Sequence, residues 1–152
     1  NKNARHNLCY ADFNQEPDYE NKKGRVVDVS ELPMLNILKG RIEEIVGIEG
    51  MQVEGNKYFD VKKSYIGLHG DAERLLVVGV RLGAVFELRY IWFHKWKPVN
   101  GEYIEIVLNP GDMYIMSEKA TGNDWKHSSK YTLRHAAGPK KLTKWKPKKK
   151  KT

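Results

Sequence analysis

Apolar residues along this chain change their period near residue 50. Before that point, Leu35, Leu38, Ile42, Ile45 and Val46 recur every three or four positions, which gathers them on one face of a helix. Ser30 offers a hydroxyl to cap its start, Gly47 marks its end and Gly40 weakens its middle. Residues 25–29 read as a short strand ahead of the helix, and residues 1–23 show no period and read as extended or looped chain. Beyond residue 50, short runs rich in β-branched and aromatic residues take over, at 51–60, 75–82, 85–93, 103–108, 113–116 and 131–136. Lys97-Pro98 with Asn100-Gly101, and then Asn109-Pro110-Gly111-Asp112, supply turns between them.

One main helix against a set of antiparallel strands predicts a mostly β, α+β domain, a sandwich or partly open barrel rather than a parallel βαβ sheet. There is no internal repeat. Trp92, Phe93 and Trp96 are expected in the core or at a strand edge, and His6 and His94, with no metal-compatible spacing to anything nearby, at the surface.

Length and charge refine this picture. A chain of 152 residues can bury a core as one domain without staples. The single cysteine, Cys9, excludes an internal disulfide and a thiolate zinc site, predicts a reducing, intracellular setting, and is expected to be a small packed side chain. No apolar run is long enough to span a bilayer, so no membrane partner is expected; the chain is also expected to be a monomer. The formal charge of +8 comes from one place: eight lysines lie between Gly138 and Thr152, and the other 19 basic residues match the 19 acidic ones. The expected organisation is therefore a neutral folded body at 1–138 and a disordered lysine-rich tail at 139–152. Such a tail favours nucleic acid through counterion release and is compatible with nuclear as well as cytoplasmic placement.

The candidate chemistry lies in Ile66-Gly67-Leu68-His69-Gly70-Asp71-Ala72-Glu73. In extended chain, residues two apart send their side chains to the same face, so the His69 imidazole and the Asp71 carboxylate can reach one ion. A second histidine from a distant strand would complete a facial two-histidine, one-carboxylate set, which leaves open positions on iron(II).

Residues from about 3 to 138 resemble a pared-down AlkB-type oxygenase, one of the iron(II)- and 2-oxoglutarate-dependent dioxygenases. Asn3-Ala4-Arg5 through Tyr10-Ala11-Asp12 resembles the family's Pro-Arg…Tyr-Gly-Asp, and Asn56-Lys57-Tyr58 its Asn-x-Tyr. Ile66 to Glu73 resembles Ile-Gly-x-His-x-Asp-x-Glu, Val78-Gly79-Val80-Arg81-Leu82-Gly83 the strand that follows, and Gly111-Asp112-Met113 to Met116 the strand leading to the distal histidine. The resemblance implies a double-stranded β-helix (jelly-roll) core, Fe(II), 2-oxoglutarate and O2 as cofactor and co-substrates, and Asn56 and Tyr58 as hydrogen-bonding partners of 2-oxoglutarate.

Two residues compete for the third metal position. His127, in Trp125-Lys126-His127-Ser128, resembles the family's Trp-x-His-Ser. In that case Thr132-Leu133-Arg134 resembles Thr-Phe-Arg, which makes Arg134 the bidentate clamp for a 2-oxoglutarate carboxylate, while Ser128 replaces a second arginine. His135, in Leu133-Arg134-His135-Ala136, resembles the His-Ala of other members, and it would leave Lys141 or Lys144 to hold the distal carboxylate.

The implied activity is oxidative demethylation of N-alkylated bases in DNA or RNA. Arg5, Tyr10 and Tyr19 would act in a recognition lid over an extruded base. Two alternatives stay open: an AlkB-fold nucleic-acid-binding module with a weak or inactive centre, and a hydroxylase of a protein or small molecule.

Overall fold

The computed structural model describes residues 5–147, so Asn3 and Ala4 of the first motif and Lys148 to Lys151 of the tail lie outside the described residues. The chain divides into two compact units, at 5–59 and from Asp60 onward. No helix among the described residues is long and apolar enough to cross a membrane.

In the first unit, β1 (His6–Ala11) pairs in parallel with β2 (Val26–Asp28) and antiparallel with β3 (Val53–Lys57). Part of the aperiodic N-terminal stretch is thus the central strand of a small sheet. Its ladder bonds come from residues far along the chain, which a local pattern does not reveal. Cys9 is exposed on β1 rather than packed. Asp28 caps a 3-10 turn at Val29–Glu31, and helix α1 (Pro33–Val46) begins only afterwards. Ser30 therefore does not cap α1. Pro33 opens it instead, because its missing N–H falls where a helix has no acceptor to offer. Gly47 closes it at φ 68°, a left-handed conformation that glycine adopts without steric cost.

The second unit is antiparallel throughout. Strand β6 (Phe86–His94) is its centre, flanked on one edge by β10 (Thr132–Ala137) and on the other by β8 (Ile104–Leu108) and the two-residue β7 (Lys97–Pro98). Lys95 and Trp96 make the β6–β7 turn with φ values of 49° and 64°. Strand β4 (Ile66–His69) extends the sheet beyond β10, and β5 (Val77–Val80) pairs separately with β9 (Met113–Met116). Phe86, Leu88, Tyr90, Ile91 and Phe93 are all buried, so β6 is covered on both faces and reads as a near-continuous apolar run. Each such side chain contributes about 1.5–3 kcal/mol of burial.

Helix α2 (Glu118–Thr121) lies in what reads from sequence as a polar loop, and Ser117 caps it by accepting from the Ala120 N–H. The tail departs from expectation. Residues 140–143, expected to be disordered, form a helical turn, α3 (Lys140–Thr143). Arg89, 1% exposed on β6, donates from Nη1 to the Gly138 carbonyl at 2.6 Å and to Thr143 Oγ1 at 2.9 Å. It also pairs with Glu87, and its Nε lies 3.2 Å from Glu105. The lysine-rich composition hid this anchor, because the partner that orders the turn is a buried arginine some fifty residues earlier.

Candidate metal centre

Strand pairing builds the site. His69 ends β4 and stands directly opposite His135 of β10, and residues opposite each other in an antiparallel ladder project to the same face. Their ring centroids are 4.2 Å apart. Asp71 follows two residues after His69, with Oδ1 3.6 Å from His69 Nε2 and Oδ2 3.6 Å from His135 Nε2. One ligand atom from each of the three residues lies within 4.8 Å of the others. Facial ligands held about 2.1 Å from an octahedral ion stand about 3 Å apart, so small side-chain rotations would close this set on a metal.

The chain between these ligands is held by backbone contacts. The Asp71 N–H donates to the Thr121 carbonyl at 2.9 Å, and Asn123 Nδ2 donates to the Ala72 carbonyl at 2.7 Å. Thr121 is fully buried, with its hydroxyl 2.7 Å from the Arg74 carbonyl. Gly70 crosses Gly122 so closely that a Cβ on Gly70 would stand 2.5 Å from the Gly122 carbonyl oxygen and 2.8 Å from the Trp125 ring. The glycine between His69 and Asp71 is therefore a packing requirement. Sequence reasoning missed Thr121, Gly122 and Asn123, whose only local signal was a polar run after a strand.

Electrostatics suit a metal. His69 Nδ1 is 2.7 Å from the Gly67 carbonyl, which can only accept, so Nδ1 donates there and Nε2 is the nitrogen turned toward Asp71 and His135. Burial, with His69 as a further contributor, pushes the His135 imidazole down to about 3, so it is neutral and able to donate its lone pair at physiological pH. Arg74 lies 3.8 Å from Asp71 Oδ2. Two imidazoles and one carboxylate form a donor set that fits iron(II) and other borderline divalent ions.

Other expected residues fall elsewhere. His127 is exposed, in a turn where its N–H donates to the Asp124 carbonyl at 2.9 Å, and it is not in the cluster. The arrangement brings in its rival, His135. Arg134, opposite Ile91, faces away from His135, as adjacent strand residues must. Its guanidinium stacks on Phe93 at 4.0 Å, with Trp96 and Trp125 at 5.6 and 5.5 Å, and burial lowers its pKa. It therefore does not reach the cluster as a co-substrate clamp. Lys144 lines a hollow with Ile91, Tyr103 and Trp145, and Lys141 is an exposed residue of α3.

Asn56 and Tyr58 belong to the first unit. Asn56 Oδ1 accepts from Arg5 Nε and, at 3.1 Å, from Asn7 Nδ2, while Asn56 Nδ2 donates to Glu54 at 2.9 Å. Tyr58 is half-buried. The Tyr10 ring packs on Gly55, where a Cβ would meet it at 3.2 Å, and Tyr19 is 81% exposed.

Among known proteins, the chain is 49% identical over 144 residues to the uncharacterized protein R156 of Acanthamoeba polyphaga mimivirus. The match takes in 95% of this chain and 56% of the relative, so the chain spans little more than half the relative's length. No family model matches it, and no solved structure matches it.

Proposed function

We propose that this chain carries the metal centre of an iron(II)- and 2-oxoglutarate-dependent oxygenase on a jelly-roll core. The observation that carries the reading is the convergence of His69, Asp71 and His135 on one face of an antiparallel sheet, two imidazoles with one carboxylate. The strand order β4-β10-β6-β8 beside a separate β5–β9 pair is consistent with such a core. The motif resemblance supplies the class.

Bound iron(II), with 2-oxoglutarate and oxygen, supplies oxidation of a substrate C–H bond coupled to decarboxylation of the co-substrate to succinate. The chain's own part is ligation and orientation. His69 presents Nε2 because the Gly67 carbonyl holds the other nitrogen's proton. Asp71 is aimed by its backbone bond to Thr121. The buried His135 keeps its lone pair unprotonated. On an N-methyl group, the hydroxylated product breaks down to formaldehyde and the free base.

N-alkylated nucleic-acid bases are the substrate class we favour, on the motif resemblance and the lysines clustered after residue 138. Incubation of the purified chain with iron(II), ascorbate, 2-oxoglutarate and methylated single-stranded DNA or RNA is expected to form succinate and formaldehyde. His69→Ala and Asp71→Ala should abolish both. Succinate no greater than in a metal-free control would overturn the oxygenase reading, and succinate without formaldehyde would overturn the demethylation of bases.

A further inference from the structure

With Arg134 on the wrong face of β10, the cluster needs a different cationic partner for a dicarboxylate. Arg81 directly follows β5 and is held there by two backbone bonds of 2.8 Å, from its N–H to the Asp112 carbonyl and from the Gly111 N–H to its own carbonyl. Its guanidinium lies over the Phe86 ring, 5.1 Å from the centroid. Phe86, Leu88 and Tyr90 alternate along β6 on the face that carries His135, and the Tyr90 and His135 ring centroids are 6.0 Å apart. Arg81 therefore stands over the same sheet face as the cluster. About 13 Å of strand separates Phe86 from Tyr90.

Tyr114 completes the arrangement. It is the register partner of Gly79, and a Cβ on Gly79 would stand 2.1 Å from Tyr114 Cζ, so the phenol lies directly across β5. Gly79 and Arg81 are two residues apart and share that face. Burial raises the Tyr114 pKa and nearby Arg81 opposes the rise, so the phenol remains a hydrogen-bond donor at neutral pH. Among the described residues no carboxylate pairs with Arg81, and its Nε is buried without a hydrogen-bond partner. A buried guanidinium nitrogen with no acceptor is costly; Arg134 Nε on the opposite face is orphaned too, but three rings surround that guanidinium, whereas Arg81 has one.

We infer that Arg81 and Tyr114 form the subsite for the distal carboxylate of the 2-oxo acid co-substrate, between the β5–β9 pair and the sheet face that carries His135. The inference rests on the oxygenase reading above and gives a role to a residue to which the resemblance assigns none.

Cobalt(II) titration of the wild-type chain, Arg81→Gln and Tyr114→Phe comes first, followed by calorimetric titration of 2-oxoglutarate and of pyruvate into each cobalt-loaded protein. Pyruvate keeps the chelating 2-oxo acid end and lacks the distal carboxylate. Arg81→Gln should weaken 2-oxoglutarate at least tenfold, toward the affinity of pyruvate, with pyruvate and cobalt binding unchanged. Tyr114→Phe should weaken 2-oxoglutarate selectively and by less, and it provides the same reading if Arg81→Gln does not fold. Unchanged 2-oxoglutarate affinity, or an equal loss for both acids, overturns the subsite. Failure of the wild-type chain to bind cobalt overturns the metal centre instead, and is recognised because no variant is involved.

Discussion

Arg134 and His135 are neighbours in sequence and occupy opposite environments across one strand. His135 faces His69, Asp71 and Tyr90, a polar cluster with unused lone pairs. Arg134 faces Phe93, Trp96 and Trp125, a set of rings that accommodates its charge without any carboxylate. Strand alternation alone makes the pair mutually exclusive as partners in one site. Choosing His135 as a ligand thus removes Arg134 from the co-substrate, whatever its motif resembles.

The largest expected effect separates the two histidines. His135→Ala should weaken cobalt(II) or iron(II) binding by at least about a hundredfold, since one of three ligands is lost. His127→Ala, altering an exposed turn, should leave binding within about twofold, as read by metal titration monitored spectroscopically. Equal effects would break the contrast between the two positions.

Next in size is the pH dependence of stability in the metal-free chain. Burial pushes the His135 imidazole down to about 3 from the ordinary 6.5, so the unfolded chain binds the proton more readily. Its neutral form therefore adds no penalty above about pH 6.5, and stability falls as pH drops from there toward 3, by on the order of 4 kcal/mol across the window. Urea midpoints measured at several pH values should show this slope, and His135→Gln should flatten it.

Gly70→Ala should cost about 3 kcal/mol, because its Cβ meets the Gly122 backbone and not a side-chain tip that can swing away. It should also weaken metal binding by shifting Asp71. A variant as stable as the wild type would show that the crossing relaxes freely.

The smallest effect tests the other face. Arg134→Met should cost about 1 kcal/mol through loss of its contacts with three rings, and should leave 2-oxoglutarate affinity unchanged. A selective loss of 2-oxoglutarate binding would return Arg134 to the co-substrate and displace Arg81.

Much of the second unit was legible in the chain. The runs at 85–93, 103–108 and 113–116 correspond to β6, β8 and β9, since apolar runs bounded by Pro, Gly and Asn carry strands and turns locally. Helix α1 was equally plain from its period, with a start displaced because Pro33, and not Ser30, opens it. The strand role of residues 6–11 and the ordered turn at 140–143 were hidden, because each depends on distant partners: β3 for the first and Arg89 for the second.

The site divides in the same way. His69 and Asp71 were readable through the ordered motif resemblance around them, and their two-residue spacing in extended chain puts both side chains on one face. The resemblance narrowed the second histidine to His127 or His135, and strand alternation sets Arg134 and His135 on opposite sides of any strand containing both. Tertiary structure decided which histidine meets the pair, through the register of β10 against β4, and which arginine stands over that face, through the placement of Arg81 on Phe86. Register and sheet-on-sheet packing are set by burial summed over many residues, so no single motif contains them.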